Sequence, residues 1–218
     1  VCMGKQLYEL EPVFRSAIDQ CDEWIRDLRG ESLIDVLFGN EDRLNDTAWT
    51  QPGLFALQMG ISGLLQHWGL SPDLVLGHSV GQFAAACVAG AMPWEDGLNL
   101  IAERGRLISS LPREGKMIAI FSSREQVEDL LKGIERAEIG AYNVSHIVVS
   151  GQSEAIDTLH QRCQEKKIRT RELATSHAFH SHLMEPILDE FAEFARSIRF
   201  APCEIPLVCN VSGKTLSP

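Results

Sequence analysis

The sequence has no apolar run near the ~20 residues that a bilayer span requires. Its first residues, Val1-Cys2-Met3-Gly4-Lys5, carry no basic segment leading into an apolar one. The expectation is a cytoplasmic protein with no membrane partner. Basic residues are outnumbered, 20 Lys and Arg against 30 Asp and Glu, and the resulting net charge of −10 argues against nucleic acid as a partner. None of the six cysteines (Cys2, Cys21, Cys87, Cys163, Cys203, Cys209) forms a C-x-x-C pair. Most sit in apolar runs, where reduced cysteine acts as a small hydrophobe, so neither zinc nor a disulfide framework is expected. Aromatic residues are few at 7%, but 44% hydrophobic and 23% charged residues describe an ordinary globular chain and exclude disorder or collagen-like order. At 218 residues it fits one elaborated domain or two small ones, long enough to bury roughly 70% of its unfolded surface.

The first part of the chain alternates helical patterns with short apolar runs, the mark of an α/β layer protein. Glu11-Pro12 opens a helix carrying Val13, Ile18 and Ile25. A second helix begins near Gln51-Pro52, with Leu54, Leu57, Ile61, Leu65 and Trp68 at helical spacing until Gly69. Leu74-Val75-Leu76, bracketed by Ser71-Pro72 and Gly77, is too short for a helix and reads as a buried parallel strand.

From Lys116 to Glu172 the order becomes strand (117–121), helix (124–131), strands (139–143 and 147–150), helix (154–164) and strand (168–173). That βαββαβ order is the ferredoxin-like pattern, here as an insert at 115–175 within a larger domain of residues 1–114 and 176–218. Residues 183–198 return to helix, with Leu183, Ile187, Leu188, Phe191 and Ala195 on one face, and 205–209 form a last strand.

Gly77-His78-Ser79-Val80-Gly81 follows the short strand and opens a helix rich in small residues, Ala84, Ala85, Ala86 and Ala89. A sharp strand-to-helix turn lifts a serine hydroxyl clear of the backbone and leaves the next amide, that of Val80, at a helix N-terminus facing an oxyanion. Ser79 is therefore the candidate nucleophile. Arg104 has Leu100, Ile101, Leu107 and Ile108 at i−4, i−3, i+3 and i+4, whereas Arg106 has Ala102, Glu103, Ser109 and Ser110 and reads as solvent-facing. A guanidinium on an apolar face needs an anion or a route for its head to water, and a substrate carboxylate would accept two bonds from its fork. Ser176-His177-Ala178-Phe179-His180-Ser181-His182 holds three histidines but no local carboxylate or cysteine. One of them is the candidate general base for Ser79, in preference to a metal site.

Together Gly77–Gly81, Arg104 and His177-Ala178-Phe179-His180 resemble the acyltransferase domain of modular type I polyketide synthases, relatives of malonyl-CoA:acyl carrier protein transacylases. The likeness extends to Gln51-Pro52-Gly53-Leu54-Phe55-Ala56 and Asn210-Val211-Ser212-Gly213. It implies an α/β-hydrolase-like large domain with a parallel sheet plus the inserted ferredoxin-like subdomain. Ser79 would take the acyl group, His180 would be its base, Arg104 would bind the extender carboxylate, and Gln51, His78, Val80, His177 and Phe179 would line the site.

The implied reaction moves an extender unit from coenzyme A to an acyl carrier protein without metal or cofactor, in polyketide or fatty acid biosynthesis, beside domains such as a ketosynthase. A histidine-alanine-phenylalanine-histidine segment implies malonyl, because Phe179 fills the space a branching methyl needs. In that family a glycine-glutamine-glycine segment precedes the position of Val1 and further elements follow Pro218, so the expectation is a catalytic domain incomplete at both ends. Gln82 stands where an acidic residue is common.

Two rival readings use the same residues. A serine esterase or thioesterase would need an acidic partner between serine and histidine, for which Asp96, Asp129 and Asp157 are available, but has no need of Arg104. An incompetent fragment that only docks a carrier would rely on the basic cluster Lys166, Lys167, Arg169 and Arg171.

Overall fold

The computed structural model describes residues 2–39 and 41–216. In chain order the elements are α1 (Lys5–Leu10), α2 (Pro12–Arg29), α3 (Leu33–Gly39), α4 (Glu41–Leu44), α5 (Thr47–His67), β1 (Val75–Leu76), α6 (Gly81–Val88) and α7 (Trp94–Ser109). They continue with β2 (Gly115–Ile120), α8 (Arg124–Leu131), β3 (Ala137–Tyr142), β4 (Ile147–Gln152), α9 (Ser153–Glu165) and β5 (Thr170–Glu172). A 3-10 helix (His182–Ile187), α10 (Leu188–Arg196), β6 (Leu207–Val208) and β7 (Thr215–Leu216) complete the α/β chain. Contacts divide it into two compact units, one up to Ser109 and again from Glu190, the other Ser110–Asp189.

The first unit is built on α2, α5 and α7. Phe14, Ile18, Cys21 and Ile25 recur at three- and four-residue spacing on α2 and are fully buried with Phe55, Met59, Leu98 and Ile101. Desolvation in this core pushes the Cys21 and Cys87 thiols up to about 12. Asp46 caps α5 by accepting from the Ala48 amide at 2.9 Å, so the helix starts four residues before the Gln51 expected from the sequence. Pro52 therefore lies inside it and leaves the Ala48 carbonyl without its helical donor. Arg29 Nη1 donates to that carbonyl at 2.7 Å, and Nη2 donates to the Ala102 carbonyl of α7 at 2.7 Å.

Asp22 is the buried carboxylate of this core. It accepts from Arg26 Nε at 2.6 Å, Ser32 Oγ at 2.8 Å and the Ile34 amide at 3.0 Å, tying the start of α3 to α2. Burial pushes this carboxyl upward, but the bonds from Arg26, Ile34 and Ser32 outweigh burial and hold it below its ordinary value. Asp22→Asn is expected to cost about 1–3 kcal/mol near neutral pH. A carboxyl depressed in the folded state stabilises above its unfolded value of about 3.9 and loses that contribution as pH falls through the native value. In urea titrations the gap between wild type and Asp22→Asn should therefore narrow in acid.

The second unit is ferredoxin-like as observed. Its sheet order is β3-β4-β2-β5 with every pairing antiparallel, and α8 and α9 bury Val127, Leu130, Ile156 and Leu159 against Ile118, Ile120, Ile147 and Val149 of the sheet. Its limits differ from the expected 115–175, because residues 110–114 and 176–189 pack with it. The histidine segment rests on the start of β2. A methyl at Gly115 would collide with the Ala178 side chain and lie 2.6 Å from Leu183 Cδ1. Pro186 lies within the 3-10 turn, so the helix expected from Leu183 becomes α-helical only at Leu188.

Two further expectations are corrected. β1 does pair in parallel with β6, but it is not buried: Leu74 is 50% and Leu76 66% exposed. It is the edge of a three-stranded sheet, β1-β6-β7, and has one neighbour among the described residues. The α5 stripe chosen from periodicity also faces outward beyond Leu57, since Ile61, Leu65 and Trp68 are exposed while Phe55, Ala56, Met59 and Leu64 are buried. The helix is apolar on several sides, and spacing alone does not choose between them. Ile61, Leu65, Leu70, Leu74 and Leu76 line an open groove of about 630 Å³. No described helix is long and apolar enough to cross a membrane.

Candidate active site

Ser79 stands between β1 and α6 with φ of 51°, in the left-handed region that costs a non-glycine residue about 1–3 kcal/mol. The turn closes through the Gly81 amide on the His78 carbonyl and the Gln82 amide on the Ser79 carbonyl, both at 3.0 Å. Gly77 makes this tightness feasible, because a methyl there would overlap the Gly81 carbonyl group and the Gln82 amide nitrogen. Val80 is the N-cap of α6, and its N–H adjoins the first-turn amides that a helix leaves without intrahelical acceptors. His78 is exposed and lines the open groove. Gln82 donates to the Val208 carbonyl at 3.2 Å, a bond that an ionised acidic side chain there could not donate.

Arg104 and Gln51 are brought together by the close approach of α5 and α7. At Gly105 a methyl would lie 2.8 Å from the Thr47 carbonyl oxygen, so the bare glycine admits the first turn of α5. One turn on, Gln51 Oε1 accepts from Arg104 Nη1 at 2.5 Å, and Gln51 Nε2 donates to Thr47 Oγ1 at 2.7 Å. Gln51 and Thr47 are both buried. Burial pushes the Arg104 guanidinium below its usual value, with no carboxylate contributing, and no described carboxylate pairs with it. Arg106, by contrast, is exposed and paired to Glu103 and Glu190 at 2.6 and 2.7 Å. Thr47 escaped the sequence reading because the helix was begun at Gln51, although Asp46-Thr47 is a helix-cap signal.

His177, Phe179 and His180 belong to the second unit. His177 is buried, and its Nε2 lies 3.1 Å from the Leu111 carbonyl. A carbonyl only accepts, so Nε2 carries the proton and Nδ1 faces Ser176 Oγ at 2.9 Å. Phe179 is half-buried, tilted 59° to the His177 ring at 6.2 Å. His180 is exposed, with a left-handed φ of 59°. Two acids considered for a hydrolase are engaged in surface ion pairs of the second unit, Asp129 with Lys132 at 2.6 Å and Asp157 with Lys116 at 2.7 Å. Lys166, Lys167, Arg169 and Arg171 are exposed, and Arg169 lies over the Phe121 ring at 4.4 Å.

A strand, a left-handed serine and a small-residue helix define the class, an α/β protein with a serine elbow. The sequence profile described as acyl transferase domain matches residues 1–216, and the chain belongs to that family. It is 40% identical over 218 residues to the phenolphthiocerol synthesis polyketide synthase type I Pks15/1 of Mycobacterium marinum, covering 99% of this chain but 10% of that protein. Among solved structures it is similar to the acyltransferase domain from the second module of the salinomycin polyketide synthase. That match has 36% identity and a TM-score of 0.93, and covers 99% of this chain and 51% of the other. It is also similar to a malonyl-transacylase solved in complex with its type II polyketide synthase acyl-carrier protein, at 26% identity and TM-score 0.92, covering 100% of this chain and 72% of that one.

Proposed function

We propose that the chain loads malonyl units from coenzyme A onto an acyl carrier protein through an ester on Ser79, as part of a polyketide synthase. The observation that carries this reading is Arg104, a half-buried guanidinium oriented by the buried Gln51 and lacking a carboxylate partner among the described residues. Such a cation has room for a bidentate anion, and the free carboxylate of a malonyl thioester supplies one. Related proteins include polyketide synthases and a transacylase with its carrier, which supports the same class of donor and acceptor.

In this reading the imidazole of His180 takes the Ser79 hydroxyl proton as the oxygen attacks the thioester carbonyl. The tetrahedral oxyanion is met by the Val80 N–H. Collapse breaks the carbon–sulfur bond, and the departing thiolate receives the proton from the imidazolium. The phosphopantetheine thiol of the carrier then repeats the sequence in reverse, so no net proton or electron is consumed. Phe179 occupies the volume that a branching methyl would require, and one methyl is worth only about 1–3 kcal/mol, so selection of malonyl over methylmalonyl is partial.

Incubation with malonyl-CoA followed by peptide mass mapping tests the proposal. The expected adduct is one malonyl group on Ser79, transferable to a carrier protein and absent in Ser79→Ala. A correctly folded chain that gains no adduct would favour the scaffold alternative, and release of malonate to water in preference to the carrier would favour a thioesterase.

A further inference from the structure

We propose that Glu138 is a positioning residue for His180, holding the backbone on which that imidazole sits. Glu138 lies on β3, an edge strand of the second unit. Its carboxylate accepts twice from the same residue: Oε1 from His182 Nδ1–H at 2.9 Å, and Oε2 from the His182 backbone N–H at 3.3 Å. A two-point grip of this kind fixes both the chain direction and the ring of His182. Two residues along the same strand, Gly140 lies beneath the loop. A methyl there would sit 3.4 Å from His180 Cβ and 3.7 Å from the Phe179 carbonyl oxygen.

The loop has other ties, and they leave His180 between two anchors. On one side the buried His177 is bonded to the Leu111 carbonyl. On the other, Ser181 Oγ donates to the Ala178 carbonyl at 2.7 Å and Glu138 holds His182. His180 itself is exposed with a left-handed backbone, a conformation that a histidine leaves for the right-handed or extended basin once its flanks loosen. Moving its Cα through that change would swing the imidazole away from any fixed acceptor position. Glu138 touches no reacting atom in this scheme. It acts through His182 on the population of the loop that presents the base.

This inference rests on the reading of His180 as the base for Ser79, and the test separates the two. Single-turnover malonylation of Ser79 would be followed across malonyl-CoA concentrations in wild type, Glu138→Ala, Glu138→Gln and His180→Ala, with thermal melting of each. Glu138→Ala is expected to slow the maximal rate about tenfold, since misplacing a reacting group by about 1 Å costs up to ~10²-fold. Half-saturation should stay within about twofold of wild type, because Arg104 and Gln51 are untouched. Glu138→Gln keeps one acceptor for Nδ1–H and should recover most of the rate, which a purely structural loss would not reproduce.

In a double-mutant cycle, Glu138→Ala combined with His182→Ala should be no slower than the worse single variant. A folded Glu138→Ala chain at wild-type rate, beside a dead His180→Ala, would overturn the positioning role alone. A His180→Ala chain at wild-type rate would overturn the base assignment.

Discussion

Replacing Arg104 with alanine is expected to abolish malonyl loading of Ser79 while sparing or raising acetyl loading. Two charge-assisted bonds to a carboxylate are worth about 1.5–3 kcal/mol each, which converts to roughly a 10²–10⁴-fold fall in kcat/KM for malonyl-CoA. Acetyl-CoA presents no carboxylate, and in wild type it would leave the half-buried guanidinium without an anion. Arg104 bonds Gln51 and no described acidic side chain, so its loss breaks no internal ion pair. Lysine at this position should rescue poorly, because a point charge copies neither the fork nor the bond to Gln51 Oε1. Competition between the two thioesters, read as the ratio of adducts on Ser79, is the measurement. Equal loss of both adducts in a folded Arg104→Ala chain would refute the carboxylate role.

The second large effect is expected at Gly77, and its cause is space. The φ of Gly77 is not among the positive ones, so alanine could adopt its backbone angles. The added methyl would nevertheless overlap the Gly81 carbonyl group and the Gln82 nitrogen, all backbone atoms of the first turn of α6. Side chains can swing aside, but a hydrogen-bonded turn cannot yield without unwinding. Relief requires shifting either the turn or β1, and both change how the Ser79 hydroxyl is oriented relative to the Val80 N–H. Gly77→Ala should therefore reduce Ser79 acylation by about 10²-fold or more and lower stability by about 1–3 kcal/mol from overpacking. Full acylation by the variant would show that the elbow is looser than its contacts indicate. Ser79→Gly is the useful companion for stability, since it removes the left-handed strain together with the hydroxyl.

Much of this was legible before any coordinates. Gly77–Gly81 announces a tight strand-to-helix turn through its flanking glycines, and the four apolar neighbours of Arg104 follow from helical periodicity alone. The helix Arg124–Leu131 has the bounds that the sequence predicts, and Ser123 caps it by accepting from the Gln126 amide at 3.4 Å. Other boundaries slipped where a side chain outvoted a pattern. Asp46 moved the start of α5 back past Pro52, and Arg29, from 19 residues away, compensates the carbonyl that the proline exposes. The burial of Leu74 and Leu76 failed for a different reason: apolar character reports what a residue prefers, whereas exposure depends on which neighbours the sheet supplies.

Local chemistry and spacing determined, from sequence alone, the serine elbow, the arginine on an apolar helix face and the order of strands and helices in the insert, because each is read one element at a time. Tertiary structure decided that Gln51 turns its oxygen to Arg104 with Thr47 behind it, that the histidine loop packs on β2, and that Glu138 grips His182. The Glu138–His182, Arg104–Gln51 and His177–Leu111 contacts join residues 44, 53 and 66 positions apart. No local periodicity encodes such meetings, since they arise only when whole helices and strands settle at a particular distance and register.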